Sequence, residues 1–309
     1  MKKSRRSTRD MLRPLVCFIT WNRAGLTARN LRALLESTDD FELFIVDNNS
    51  QDDTWRFIEG IQDPRIKEKK RFDRNRGFAY GINDVFSKRK KDQYFIWIEN
   101  DVCIYTKDWV RQFLKVMEAF PEVGLLGAVR DKFYQKHRSM MKIVQNGDVV
   151  YYEFPRVTGC CNCWRPELIE VIGYLNEETY GGDTDNWYRI NNFTSFKMGY
   201  VPAVRIDQVQ WISCEECLMQ QLCRVRTKSM TCFDIYKSRD LHRDLPDFRQ
   251  MKTNIYRRSL ESGEREVYCA SIHDPESRRL HYYNRDWAEE NFHFFASHDD
   301  EQSINVGRR

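Results

Sequence analysis

Three short segments carry side chains whose type and spacing could do chemistry. In Ile98-Glu99-Asn100-Asp101-Val102, two carboxylates stand at i and i+2. Hard cations such as Mg2+ or Mn2+ take oxygen ligands, and two carboxylates so spaced can reach one ion where a strand breaks. In Gly181-Gly182-Asp183-Thr184-Asp185, paired glycines let backbone approach a ligand closely, and a carboxylate follows at the mouth of a helix. Asp183 is placed to accept a proton from a hydroxyl, with Asp185 as the alternative base; either would also make an ordinary helix N-cap. Thr20-Trp21-Asn22-Arg23 offers a flat ring and polar groups for a heterocycle, and Asp47 can accept hydrogen bonds from an imide or a ribose hydroxyl.

A fourth cluster is of cysteine. Cys214 and Cys217 form a C-x2-C pair, followed by Cys223 and Cys232. Zinc takes four thiolate or imidazole ligands in a tetrahedron, so these four cysteines are candidate ligands for a structural Zn2+. The second half of the set is irregular. Cys160, Cys161 and Cys163, or His242, are therefore alternative donors, and reduced thiols packed in a core are the plainer reading.

The elements that must position these groups alternate. Leu15 to Thr20, Phe41 to Val46, Gln93 to Ile98 and Val123 to Val129 read as short, apolar, β-rich strands. Between them the apolar spacing predicts helices over Leu26 to Leu35, Asp53 to Ile61, Gly77 to Phe86 and Asp108 to Phe120, the last closed by Pro121. Strand and helix at this spacing imply an α/β fold with a mostly parallel sheet flanked by helices. Ligands bind beyond the carboxyl ends of such strands, where Asp47 and Glu99-Asn100-Asp101 fall. From about Arg205 the alternation gives way to cysteines, charges and aromatics, and the last dozen residues read as a polar tail.

Composition bounds the rest. Hydrophobic residues make up 41% of the 309, enough for a large core. The first ten residues hold Lys2, Lys3, Arg5, Arg6 and Arg9 against Asp10, which accounts for the net charge of +4 and leaves the body neutral. A neutral body argues against a broad nucleic-acid surface, although Arg224 to Arg258 holds ten basic residues against four Asp. No stretch approaches the roughly 18 apolar residues of a membrane span. With the cysteine clustering, this makes a cytoplasmic location the expectation.

Taken in order, Thr20-Trp21-Asn22-Arg23, Ile45-Val46-Asp47-Asn48-Asn49-Ser50, Arg74-Asn75-Arg76-Gly77-Phe78, Glu99-Asn100-Asp101, Thr158-Gly159-Cys160-Cys161 and Gly182-Asp183-Thr184-Asp185 resemble the family-2 glycosyltransferases of GT-A fold. The resemblance spans residues 14 to 207. It implies a Rossmann-like domain that moves a sugar from a nucleotide diphosphate donor, a UDP-sugar favoured, to an acceptor hydroxyl. It further implies that Thr20, Trp21, Asn22, Arg23, Asp47, Asn75, Gly77, Asn100, Thr158 and Gly159 hold the donor. Glu99 and Asp101 stand where the family's D-x-D motif binds Mn2+ or Mg2+ with the diphosphate, and Asp183 matches the base of inverting members. Relatives often carry a metal-ligating histidine after a strand like Tyr200-Val201-Pro202; here Asp207 stands at about that distance.

The organisation expected is a basic flexible N-terminus over 1–13, the transferase domain over 14–207, and a cysteine-containing acceptor or structural region over 208–309. A nucleotidyltransferase of similar fold and a non-catalytic nucleotide-sugar-binding module are the rivals. The acceptor stays open among glycan, protein and nucleic-acid base, as does the oligomeric state.

Overall fold

The computed structural model describes residues 12–179, 182–208 and 247–306. The elements in the first part are β1 (Leu15–Thr20), α1 (Ala24–Leu35), β2 (Glu42–Asp47), α2 (Thr54–Gly60), β3 (Ile66–Arg71), α3 (Phe78–Phe86), β4 (Phe95–Glu99), β5 (Val102–Ile104), α4 (Trp109–Ala119) and β6 (Val123–Arg130). They continue with α5 (Asp131–His137), β7 (Lys142–Asn146), β8 (Val149–Glu153), β9 (Cys161–Trp164), α6 (Pro166–Ile172), α7 (Gly182–Phe193) and β10 (Lys197–Gln208). After the undescribed stretch come α8 (Asp247–Glu261), α9 (Pro275–Leu280) and α10 (Arg285–Val306).

The described strands form one sheet in the order β3-β2-β1-β4-β9-β6-β10-β8-β7, with β5 pairing off this path onto β10. Strands β1 to β4, β6, β7 and β10 run one way and β5, β8 and β9 the other. The sheet is therefore mostly parallel, as expected, with antiparallel insertions in its second half.

Side chains alternate along a strand, and β1 shows what this does here. Val16 and Phe18 pack with Leu31, Leu34, Ile58 and Phe113 of α1, α2 and α4. Leu15, Cys17 and Ile19 pack on the other face with Ile82, Val85 and Leu168 of α3 and α6. Helices on both faces follow directly from a strand that is apolar at every position before Thr20. In α4, Val110, Phe113, Val116 and Met117 recur at helical spacing and are buried. Pro121 bars the residue before it from helical backbone, and Phe120 ends the helix at φ −130° and ψ 85°.

Strands β3, β5, β7, β8 and β9 escaped the sequence reading, two of them for evident physical reasons. The sequence of β3, Ile-Lys-Glu-Lys-Lys-Arg, lacks apolar alternation because β3 is an edge strand, and lysines on an edge discourage pairing with another chain. Strand β9 is only four residues long, yet it lies between β4 and β6 and is buried throughout.

The C-terminal segments are built onto the first domain. Cys269 forms a parallel bridge with Gly173. Glu177, 1% exposed, accepts hydrogen bonds from Asn83 Nδ2 (2.8 Å), Ser271 Oγ (2.6 Å), Ile272 N (2.9 Å) and Tyr283 OH (2.8 Å). Arg265 grips the buried Glu178 through two nitrogens at 2.8 and 2.6 Å. The polar C-terminal residues continue α10 as helix as far as Val306. No helix among the described residues is long and apolar enough to cross a membrane.

Candidate active site

Three strand ends are tied into one frame. Strand β1 ends at Thr20, and the chain then passes through Asn22 and Arg23 at φ 54° and 62°, a left-handed conformation uncommon outside glycine. Asn22 is held there from two sides. Its N–H donates to Ser50 Oγ (2.7 Å), its side-chain oxygen accepts from Gln51 N (2.7 Å), and its carbonyl accepts from Asn100 Nδ2 (3.0 Å). The loops after β1, β2 and β4 are thus locked to one another at this residue. Local strain held by such surroundings is a feature of functional sites.

Asn100, one of the residues expected to hold the donor, turns its amide nitrogen inward. Its amide also donates to Thr20 Oγ1 (3.1 Å) and Thr27 Oγ1 (3.0 Å), and its carbonyl accepts from Asn30 Nδ2 (2.8 Å). It braces the turn that presents Glu99 and Asp101. Asp47 is likewise fully buried beneath the cleft. Its carboxylate accepts from Ser50 N (3.1 Å) and Ser50 Oγ and pairs with Arg71 at 3.4 Å; burial still pushes its pKa up against these partners. Asn75 caps Gly77 N through its side chain (2.9 Å), and Asn48 clasps the same loop by donating to Gly77 O (3.1 Å). A Cβ on Gly77, at φ 84°, would meet the ring of Phe295 on α10. Trp21 is half-buried at the rim.

The carboxylates gather at the end of β4. Burial raises the pKa of Glu99 well above its ordinary value, and the charges of Asp101 and Asp183 add to this. Asp101 is 3% exposed and also raised by burial, although Arg23, 3.5 Å away, opposes the shift. Arg130 and Gln208 close the far side. Arg130 Nη1 donates to Gln208 Oε1 (2.5 Å), and Gln208 Nε2 lies 3.4 Å from Asp101 Oδ1.

Gln208, not Asp207, is therefore the β10 residue that reaches Asp101. Asp207 pairs across the ladder with Cys103, and neighbours on a strand point to opposite faces. Among the described residues no group of three or more His, Cys, Asp or Glu is arranged to hold a metal ion by itself. Glu99 and Asp101 nonetheless fit a divalent cation that brings further oxygens with its ligand. They are hard oxygen donors, and the charge of Asp101 disfavours that of Glu99.

Asp183 stands at the start of α7, where the backbone N–H of Gly159 donates to its Oδ2 (2.6 Å). Desolvation raises its pKa to about 6, with the Gly159 hydrogen bond pulling the other way. Gly159 is fixed in turn, its carbonyl accepting from Trp97 Nε1, while Thr158 N donates to Tyr200 OH (3.0 Å). Asp185 points into the protein. It is buried against Arg189 Nε at 2.7 Å, and Arg189 also donates to the carbonyls of Ile172 and Tyr174. The alternative base is thus a structural ion pair.

The zinc candidates Cys214, Cys217, Cys223 and Cys232, with His242, lie outside the described residues. Of the alternative donors, Cys160, Cys161 and Cys163 are buried as free thiols, the last two within β9, and burial drives all three pKa values up, that of Cys160 to about 12.

Asn30, Gln208 and Arg130 were missed from sequence. One signal existed: Thr27 and Asn30 share the buried face of α1 with Leu26, Leu31 and Leu34, a place where polar side chains need partners.

The profile of glycosyl transferase family 2 matches residues 15–195. The chain superposes on the mannosyltransferase PcManGT from Pyrobaculum calidifontis, solved with GDP-Man and Mn2+, at a TM-score of 0.51 and 19% identity, covering 71% of this chain and 64% of that one. GalNAc-T7 with UDP, GalNAc and Mn2+ gives 0.49 and 12%, over 65% of this chain and 44% of that one. Glucosyl-3-phosphoglycerate synthase from Mycobacterium tuberculosis, with Mn2+, UDP and phosphoglyceric acid, gives 0.42 and 12%, over 62% and 69%. The chain spans less than two thirds of the length of the first two. With the sheet order, the strand-end carboxylates and a family profile that covers more than half its length, the chain belongs to glycosyl transferase family 2 and has the GT-A fold.

Proposed function

We propose that this chain transfers a sugar from a nucleotide diphosphate donor, a UDP-sugar favoured, to an acceptor hydroxyl with inversion at the anomeric carbon. The observation that carries the reading is the meeting of Asp183, aimed by Gly159 N–H, with Glu99 and Asp101 in one desolvated cleft. Asp183 takes the acceptor's proton as the acceptor oxygen bonds to the anomeric carbon and the bond to the diphosphate oxygen breaks. Glu99 and Asp101 would hold Mn2+ or Mg2+, which when bound neutralises charge on the departing diphosphate. Thr20 to Arg23, Asn75, Gly77, Thr158 and Gly159 shape the donor cleft, with Asp47 and Asn100 bracing it from below. The mannosyltransferase of like fold carries GDP-Man and Mn2+, which supports a nucleotide sugar and a divalent cation here.

In the same reading residues 14–207 form the transferase domain, and the region after 208 flanks the acceptor side. A screen of UDP-, GDP- and dTDP-sugars with Mn2+, read as nucleotide diphosphate release, tests the proposal. Release from one donor class, lost without metal, is the expected result; no release from any of them sinks it.

A further inference from the structure

An open groove of about 340 Å³ runs along α7, within the size range of ligand sites. Thr184, Trp187, Tyr188, Asn191 and Asn192 line it, at the i, i+3, i+4, i+7 and i+8 spacing of a single helix face. Asp183 lies four residues before Trp187, at the head of the same stripe. At 1.5 Å per residue Asn191 lies ~12 Å along the helix from the candidate base, and the groove begins at Thr184, the residue after it. Arg156 and Arg257 form its walls, and Arg257 belongs to the basic strip of residues 224–258.

The surface is built rather than loose. Trp187 Nε1 donates to Val157 O (2.6 Å), and Asn191 Nδ2 donates to Pro155 O (2.9 Å). The Arg257 guanidinium lies 4.9 Å from the Tyr188 ring centroid, and the Tyr188 hydroxyl donates to Glu261 (2.5 Å). Fixed rings offer flat apolar faces, amides offer groups for hydroxyls, and arginines offer forks for carboxylate or phosphate. No Asp or Glu lines the groove among the described residues.

We infer that this groove is the acceptor's subsite and that it takes an anionic saccharide, a sugar chain bearing carboxylate or phosphate. The role as acceptor path rests on the transfer reading above; the binding chemistry does not. A single-stranded nucleic acid would need a track of cations interleaved with stacking rings, and two arginines do not make one.

The test is calorimetric titration of the full chain with four probes: tetragalacturonate, a phosphorylated mannopentaose, neutral cellotetraose and a short single-stranded oligonucleotide. At least one acidic saccharide should bind about tenfold tighter than cellotetraose. It should lose about tenfold in Arg156→Ala and in Arg257→Ala, the worth of a charge-assisted hydrogen bond, with melting temperatures unchanged. Binding of one acidic probe and not the other supports the proposal and names the acid. Equal binding of cellotetraose, tighter binding of the oligonucleotide, or indifference to both arginine substitutions overturns it. Acidic-saccharide binding in a chain that releases nucleotide diphosphate from no donor would leave the groove standing and the transfer reading fallen; donor turnover with no arginine-dependent binding would do the reverse.

Discussion

The backbone N–H of Gly159 donates to the carboxylate of Asp183 at 2.6 Å, and no side chain stands between them. A Cβ at Gly159 would run into the Asp183 carboxylate itself. Gly159→Ala should therefore displace the base while the fold, which need only move the tip of one side chain, survives. We expect a loss on the order of 10² in kcat, the worth of a positioned general base, matching that of Asp183→Asn. Full activity in Gly159→Ala would mean that Asp183 is not aimed by this contact.

The pH profile is set by the same residue. Asp183 must be ionised to accept a proton, and its pKa is raised to about 6. The rate should rise with pH through about 6, and the acid limb should be missing from the residual activity of Asp183→Asn. Stability takes the opposite sign. A carboxyl raised from 3.8 in the folded state binds its proton more tightly when folded, so its contribution fades as pH climbs from about 4 to 6. Melting curves across this range should slope downward in the native chain and less so in Asp183→Asn.

Asp101→Asn removes a buried charge that disfavours ionisation of Glu99. Without metal the variant should melt at or above the temperature of the native chain, because the charged form is the disfavoured one there. It should also lose any rise in melting temperature caused by Mn2+, and its transfer rate should fall to less than about a tenth. A variant that still gains stability from Mn2+ would place the cation elsewhere.

Asp185→Ala should fail differently. Breaking a buried ion pair by removing one partner costs about 3–5 kcal/mol, and Arg189, fully buried, would be left charged. Thermal denaturation should show a large drop in stability. A stable protein with a selectively lowered kcat would return Asp185 to the chemistry.

Much of the domain was legible because its central strands are apolar almost throughout and its helices carry their apolar residues at helical spacing, as in β1 and α4. What sequence could not supply was parity. Between Val201 and Arg205 strand β10 advances four residues while β6 advances one, from Ala128 to Val129, and an odd number of extra residues exchanges the faces of everything after it. Asp207 is thereby sent toward Cys103, and Gln208 takes the place beside Asp101. Nor does sequence tell a carboxylate at the floor of a cleft from one on its wall. Asp47, Asn100 and Asp185 have the right chemistry for a ligand, and the structure uses all three as braces.

Glu177 makes the matched family segment inseparable from the C-terminal third of the chain. Three of its hydrogen-bond donors, at Ser271, Ile272 and Tyr283, lie far beyond residue 195, where the family profile ends. A chain cut near 208 would keep the candidate site but lose three of the four donors to Glu177, together with the apolar residues Tyr256, Leu260, Cys269 and Trp287 that pack on Tyr188 and Phe193. Apolar surface left uncovered favours association, so a truncated version should be hard to express in soluble form. The minimal folding unit is accordingly longer than the segment the family profile matches, and swapping C-terminal regions between relatives would succeed only if Ser271 and Tyr283 travelled with a matching acid.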